Sequence, residues 1–192
     1  FPNSWELHAT ALEGSNPADS TLAQIEGQWW LFSNLCNDPF GDMSSELHLF
    51  RVASPMLEQL EPHPLNPVVF DSRTARNAGR ILVRDDVLLR PAQDNSHGTY
   101  GYGLNLMRID ELTMESYRES PVRTIAPTFK RAIIGCHHID VLGEQIVFDV
   151  RHRLGGRGLG RRRQGLRGGG VGAALFAAED DDALAQSGVL LQ

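Results

Sequence analysis

The 192 residues carry a net charge of −6, with 41% hydrophobic and 22% charged side chains, which is the composition of a globular domain with its own core. No run is long and apolar enough to span a bilayer as a helix. From Arg151 onward seven arginines face four acidic residues, a balance of +3, so the first 150 residues hold −9. That acidic body excludes a broad phosphate-binding surface, and no nucleic-acid partner is expected for the folded part.

The opening, Phe1-Pro2-Asn3-Ser4-Trp5, has neither an initiator Met nor the regions of a signal peptide, and reads as the continuation of a longer protein. The first strand expected is Gln28 to Phe32, after Glu26-Gly27. A loop around Asn37 to Asp42 leads to Glu46-Leu47-His48-Leu49-Phe50-Arg51-Val52, whose alternation predicts a half-buried strand. Ile81-Leu82-Val83 and Val87-Leu88-Leu89 flank Arg84-Asp85-Asp86 as a tight hairpin. Tyr100 to Ile109 predicts another strand, with Tyr100, Tyr102, Leu104, Leu106 and Arg108 on one face. Ile109 to Tyr117 is the best helical candidate, a short connector with Thr113 as N-cap. Ile133-Ile134-Gly135 and Gln145 to Phe148 enclose a turn at Leu142-Gly143-Glu144.

Hairpins at Gly27, Asp86 and Gly143 recur about every 58 residues, a spacing that suits four-stranded antiparallel propeller blades. The fold class expected is therefore all-β, a partial propeller of roughly three blades over residues 1–153; a β-sandwich is the competing architecture. Residues 154–192 change character to a Gly/Arg-rich linker and an Ala-rich tail, irregular or partly helical, which is read as a linker or a non-native reading frame. The G-x-G-x-x-A match at Gly168 to Ala173 lacks a preceding strand and is discounted. The tail's RGG-like look lacks the interleaved aromatics of RNA-binding segments.

Cys36 and Cys136 are isolated, and no Cys/His spacing suggests zinc. Neither a phosphate loop nor a serine-nucleophile motif occurs, so no cofactor is expected. Three places hold more polar residues than a strand needs. At Asn16 to Leu22, Asp19 stands where a propeller strand meets the central channel and is a candidate catalytic carboxylate; the alternative is a turn Asp capping its own backbone. From Arg73 to Asp94, Arg76, Arg80 and Arg90 offer donor forks and Gln93 a donor and acceptor. Asp94 is a second candidate carboxylate or the ion-pair partner of one of these arginines, and Tyr100 supplies an aromatic wall. At His137-His138-Ile139-Asp140 adjacent side chains point to opposite faces, so at most one His serves a site, and two such neighbours do not easily chelate one metal.

An ordered series of motifs sharpens this reading. Glu26-Gly27-Gln28-Trp29-Trp30-Leu31-Phe32, Asn66-Pro67-Val68, Ala75-Arg76-Asn77-Ala78-Gly79-Arg80, Leu89-Arg90-Pro91-Ala92-Gln93-Asp94, Tyr100-Gly101 and Leu112-Thr113 through Tyr117 and Glu119 resemble the N-terminal domain of plant glucosamine inositolphosphorylceramide transferases and its bacterial relatives. The resemblance covers roughly Asp19 to Arg151 and implies similarity to the five-bladed propellers of arabinanase-like and levansucrase-like enzymes. It implies a sugar or glycan ligand and a fused or partner glycosyl-transfer domain. It gives Asp19 the acidic channel position, Arg76, Arg80, Arg90, Gln93, Asp94 and Tyr100 the central polar motif, and His137 the last-blade His. Handling of a glycan or nucleotide sugar, by transfer or by glycoside hydrolysis, is the first reading; a non-catalytic glycan-binding module or a purely structural fragment is the second.

Overall fold

The computed structural model describes residues 3–37, 40–142 and 145–153, and the backbone of 170–177. It is built of antiparallel strands, and among the described residues there is no helix, hence none long and apolar enough to cross a membrane. The first sheet holds β1 (Pro17–Ile25), β2 (Gln28–Leu35), β3 (Glu46–Val52) and two short strands that both pair with β3, β4 (Glu61–Pro62) and β5 (Val69–Phe70). The second runs in order β6 (Leu82–Arg84), β7 (Val87–Asp94), β8 (Gly103–Leu112) and β9 (Tyr117–Ile125). The third runs β10 (Ile133–Leu142), β11 (Gln145–His152) and β12 (Gly170–Ala177).

Turn chemistry explains the first hairpins. Glu26 and Gly27 have φ of +50° and +81°, and Asp85 and Asp86 have +48° and +62°, the paired left-handed conformation that matches the twist of flanking strands. Strand alternation then divides the apolar residues between faces. In β2, Trp30 and Phe32 pack with Leu47, Leu49, Ala75 and Ile109, joining the first and second sheets. On the opposite face, Leu31, Leu35, Phe50 and Val52 form a separate cluster. Leu104, Leu106 and Ile125 pack against Ile139, Ile146, Phe148 and Val150, joining the second and third sheets.

The segment Arg76 to Arg80 ties the three sheets together. Asn77 Nδ2 donates to the carbonyls of Asp19 (2.9 Å) and Phe32 (3.2 Å), while the Asn77 amide donates to Asn34 Oδ1 at 2.9 Å. The Thr21 hydroxyl donates to the Gly79 carbonyl at 3.1 Å, and the Ile139 amide to the Ala78 carbonyl at 2.8 Å. Gly79 has φ +149°, and a Cβ there would lie 2.2 Å from the Ile139 carbonyl oxygen, so only glycine allows this approach.

Two expectations are corrected. Residues 109–117 form no helix: β8 continues to Leu112, and Thr113 Oγ1 accepts from the amides of Glu115 (3.1 Å) and Ser116 (3.0 Å) in a turn leading to β9. Thr113 does cap exposed amides, but Ile109 and Leu112 are drawn into the core shared with the first sheet, which overrides the helical tendency. Residues 170–177 form a strand on the edge of β11, neither irregular nor helical; residues 154–169 and 178–192 lie outside the described residues, as does the turn at Gly143 and Glu144.

Candidate functional site

Asp19 lies where the β1–β2 ladder breaks, between the pairs Ala18↔Asn34 and Thr21↔Phe32. Its φ is +46°, unusual for a residue with a side chain. A break of this kind re-aims side chains. Asp19 Oδ2 receives Arg76 Nε at 2.6 Å and Gln93 Nε2 at 2.9 Å, a charge-assisted contact reinforced by a neutral donor. Arg76 is held further by Nη1 on the Met43 carbonyl at 3.2 Å, and its guanidinium carbon lies 4.9 Å from the centroid of the Tyr100 ring. Tyr100 in turn meets His137 edge-on, with centroids 5.3 Å apart.

His137 repeats the device used at Asp19. The β10–β11 ladder slips between Cys136↔Val150 and His138↔Asp149, leaving His137 unpaired at the break. Its Nδ1 lies 3.3 Å from Asp149 Oδ2. Gly101 and Gly135 let the Tyr100 loop lie directly on β10: a Cβ on Gly101 would come within 2.6 Å of His137 Cβ, and one on Gly135 within 2.5 Å of the Gly101 carbonyl oxygen. A cavity of about 70 Å³ remains, lined by Tyr100, Gly101, Gly135, His137, Asp149 and Arg151.

Of the residues the sequence singled out, the structure brings Asp19, Arg76, Gln93, Tyr100 and His137 into one connected cluster. Arg80 stands half exposed, with Nε on Asp140 Oδ1 at 2.6 Å and Nη2 on the Val141 carbonyl at 2.5 Å, bridging the second sheet to the third. Arg90 is fully buried, so it presents no surface to a ligand. Its Nε and Nη2 reach Glu119 at 2.9 and 2.6 Å, Nη1 reaches Asn77 Oδ1 at 3.1 Å, and the Tyr117 hydroxyl donates to Glu119 at 2.6 Å. Burial works against the Arg90 cation, but the Glu119 carboxylate and Tyr117 outweigh it and hold the pKa above the usual arginine range. Burial also pushes the Tyr117 hydroxyl well up, with Glu119 adding and Arg90 partly offsetting.

The expected pairing of Asp94 with an arginine of this group is corrected: Arg76, Arg80 and Arg90 take Asp19, Asp140 and Glu119 instead. Asp94 follows Gln93 on β7 and so takes the opposite face. Its Oδ1 accepts from the Ser96 amide at 3.0 Å and the Ser96 hydroxyl at 2.6 Å, which fixes the loop leading to Tyr100.

Asp149 and Arg151 were missed by the sequence reading. The signal was present: Ile146, Phe148 and Val150 alternate into the core, so Asp149 and Arg151 share the other face of β11. The cluster thus carries two carboxylates, Asp19 and Asp149, and two guanidiniums, Arg76 and Arg151, around an aromatic and an imidazole ring. Such a set offers donors, acceptors and a flat apolar face to a hydroxyl-rich ring. Among the described residues no group of three or more His, Cys, Asp or Glu is placed to hold a metal ion.

Residues 1–142 match the family model described as glucosamine inositolphosphorylceramide transferase 1, N-terminal. The chain belongs to this family. A protein named glucosamine inositolphosphorylceramide transferase 1 from Oryza sativa subsp. japonica is 34% identical over 147 residues, 73% of this chain. Its namesake from Oryza sativa subsp. indica is 33% identical over the same length. The chain spans 19% of the length of each of these relatives. No solved structure matches. The motifs singled out in the sequence take different roles here. Ala75 to Arg80 is chiefly the hub of the three sheets, Arg90 and Glu119 are a buried brace, and Asp19, Gln93 and Tyr100 line the polar end.

Proposed function

We propose that this chain is a sugar-binding unit of a longer glycosyl-transfer protein, built on part of a five-bladed propeller. The observation that carries the reading is the paired break in the first strands of two different sheets. It turns Asp19 and His137 toward one another's neighbourhood, with Arg76 and Tyr100 between them. Three successive antiparallel sheets stacked face to face, with β1 of the first, β7 of the second and β10 of the third meeting at the Arg76 to Arg80 segment, support the propeller. The relatives' names, transferases of glucosamine, support a glycosyl ligand and a fused transfer domain in the rest of the protein.

Binding is favoured over bond cleavage. Glycoside hydrolysis calls for two carboxylates roughly 5–10 Å apart flanking the bond. Asp19 Oδ2 is already held by Arg76 and Gln93, and Asp94 Oδ1 by Ser96. These two carboxylates then position rather than attack.

Calorimetric titration of the chain with glucosamine, N-acetylglucosamine, glucose and mannose, followed by a search for products after long incubation, tests the reading. Saturable binding that Tyr100→Ala abolishes, with no product, is expected. Binding that neither Tyr100→Ala nor Asp19→Asn alters in the folded protein overturns it, and accumulation of a cleaved or transferred product turns it toward catalysis.

A further inference from the structure

The cavity beside His137 has its own chemistry. At about 70 Å³ it has room for one or two groups of water size, each needing about 30 Å³. Two of its lining side chains have unmet polar atoms. Asp149 gives Oδ2 to His137, while its Oδ1 is buried with no hydrogen-bond partner. Arg151 Nε is likewise buried without a partner, and among the described residues its guanidinium makes no ion pair. Both atoms are closed to a water-sized group, so a group in the cavity meets the part-exposed Asp149 carboxylate and the Arg151 guanidinium at their other atoms.

Acceptor and donor together select the occupant. A group that satisfies both must donate to the Asp149 carboxylate and accept from the Arg151 guanidinium, and it must fit the small volume. An alcohol does this. A phosphate at neutral pH is chiefly an acceptor and would be repelled by Asp149. The charges at this end also balance, Asp19 and Asp149 against Arg76 and Arg151, so the site has no net attraction for a dianion. Gly135 forms the floor. A Cβ there would lie 3.0 Å from Arg151 Nη2 and 2.5 Å from the Gly101 carbonyl oxygen, so the absence of a side chain lets the Tyr100 loop and Arg151 close on β10 at this wall.

We propose that this cavity is a subsite for one hydroxyl or hydroxymethyl group of a sugar. The site would therefore take an uncharged glycosyl ring rather than the diphosphate of a nucleotide sugar. This deepens the sugar-binding reading and rests on it. Tyr100 stands between the Arg76 contact and the cavity, where one face of a ring stacks while an edge hydroxyl enters.

The test titrates the whole chain with the methyl glycosides of glucose, mannose and N-acetylglucosamine and with the monodeoxy analogues of the one that binds best, with inorganic diphosphate as competitor. Expected are saturable binding, no displacement by diphosphate, and roughly tenfold or greater loss for one deoxy analogue, the scale of a hydrogen bond to a charged group. Asp149→Asn is expected to lower affinity by a similar factor and to erase the difference between that analogue and its parent. Arg151→Lys, which keeps the charge and moves the donor, checks the same point if the Asn variant folds poorly by near-UV dichroism. Displacement of the glycoside by diphosphate, or an unchanged affinity in both variants while Tyr100→Ala abolishes binding, overturns the subsite alone. If the unaltered chain binds none of the three glycosides, the sugar reading falls and the subsite with it.

Discussion

Replacing Glu119 with Ala removes the carboxylate that faces Arg90 and leaves a cation in the interior. Arg90 is 0% exposed, so no water reaches it to replace the lost charge. Two guanidinium hydrogen bonds, at 2.9 and 2.6 Å, disappear together, and the Tyr117 hydroxyl loses its acceptor. Breaking a buried pair from one side costs about 3–5 kcal/mol, a large part of the roughly 5–15 kcal/mol that holds a domain together. At roughly 2–4 °C per kcal/mol for a chain of this size, melting should fall by about 6–20 °C. Urea unfolding followed by tryptophan fluorescence measures the loss directly. The Arg90→Met, Glu119→Leu double variant removes both charges and should lose less than the sum of its single variants. Because Arg90 is enclosed, sugar affinity of the folded fraction should not change. A loss below about 1 kcal/mol in Glu119→Ala would refute the bracing role, and loss of sugar binding without loss of stability would move Arg90 into the binding site.

Further outcomes follow from the same geometry. Gly79→Ala forces a methyl group against the Ile139 backbone where φ is +149°, and should destabilise by about 3 kcal/mol in a urea titration, detaching the third sheet first; a neutral effect contradicts the hub. Burial, with the Asp149 charge adding, pushes the Cys136 thiol from 9.0 up to about 12. The unfolded thiol ionises near pH 9 while the folded one stays protonated, so its stabilisation is full below pH 9 and is lost between pH 9 and 12. The unfolding free energy of the unaltered chain, from urea titration, should therefore fall more steeply from pH 9 to 11 than that of Cys136→Ala, by up to about 1.4 kcal/mol per pH unit; parallel curves contradict it. Asp19→Asn keeps the shape but removes the charge that holds Arg76, and should weaken sugar binding roughly tenfold while moving the urea midpoint little.

Much of the fold was legible because its signals are local. The hairpins at Glu26-Gly27 and Asp85-Asp86 were marked by residues that tolerate left-handed backbone, and β2, β3, β7 and β10 by apolar or alternating runs. β1 was expected only as the incoming arm of the Gly27 hairpin, without bounds, since Pro17, Asp19 and Ser20 weaken its strand signal, and β9 was not recognised, since Pro121 contradicts strand propensity. The connector at 109–117 failed where long-range packing of Ile109 and Leu112 outweighed local preference.

The site divides in the same way. Asp19, Arg76, Gln93, Tyr100 and His137 carried polar groups in otherwise apolar contexts, which sequence can show. Partner choice could not be read, because Asp94 is near the arginines in the chain whereas Glu119 and Asp140 meet them only across strands and sheets. Asp149 and Arg151 were readable by alternation along β11 but became meaningful only once β10 placed His137 beside them.

The most direct measurement is a two-dimensional amide spectrum of the whole chain recorded during titration with the best-binding methyl glycoside. Shifts are expected to grow together at Asp19 in the first sheet, Gln93 and Tyr100 in the second, and His137, Asp149 and Arg151 in the third, with one dissociation constant. Shifts confined to a single sheet, or lying at Gln28, Arg51 and Glu61 in the first sheet, would contradict a site assembled where the three sheets meet.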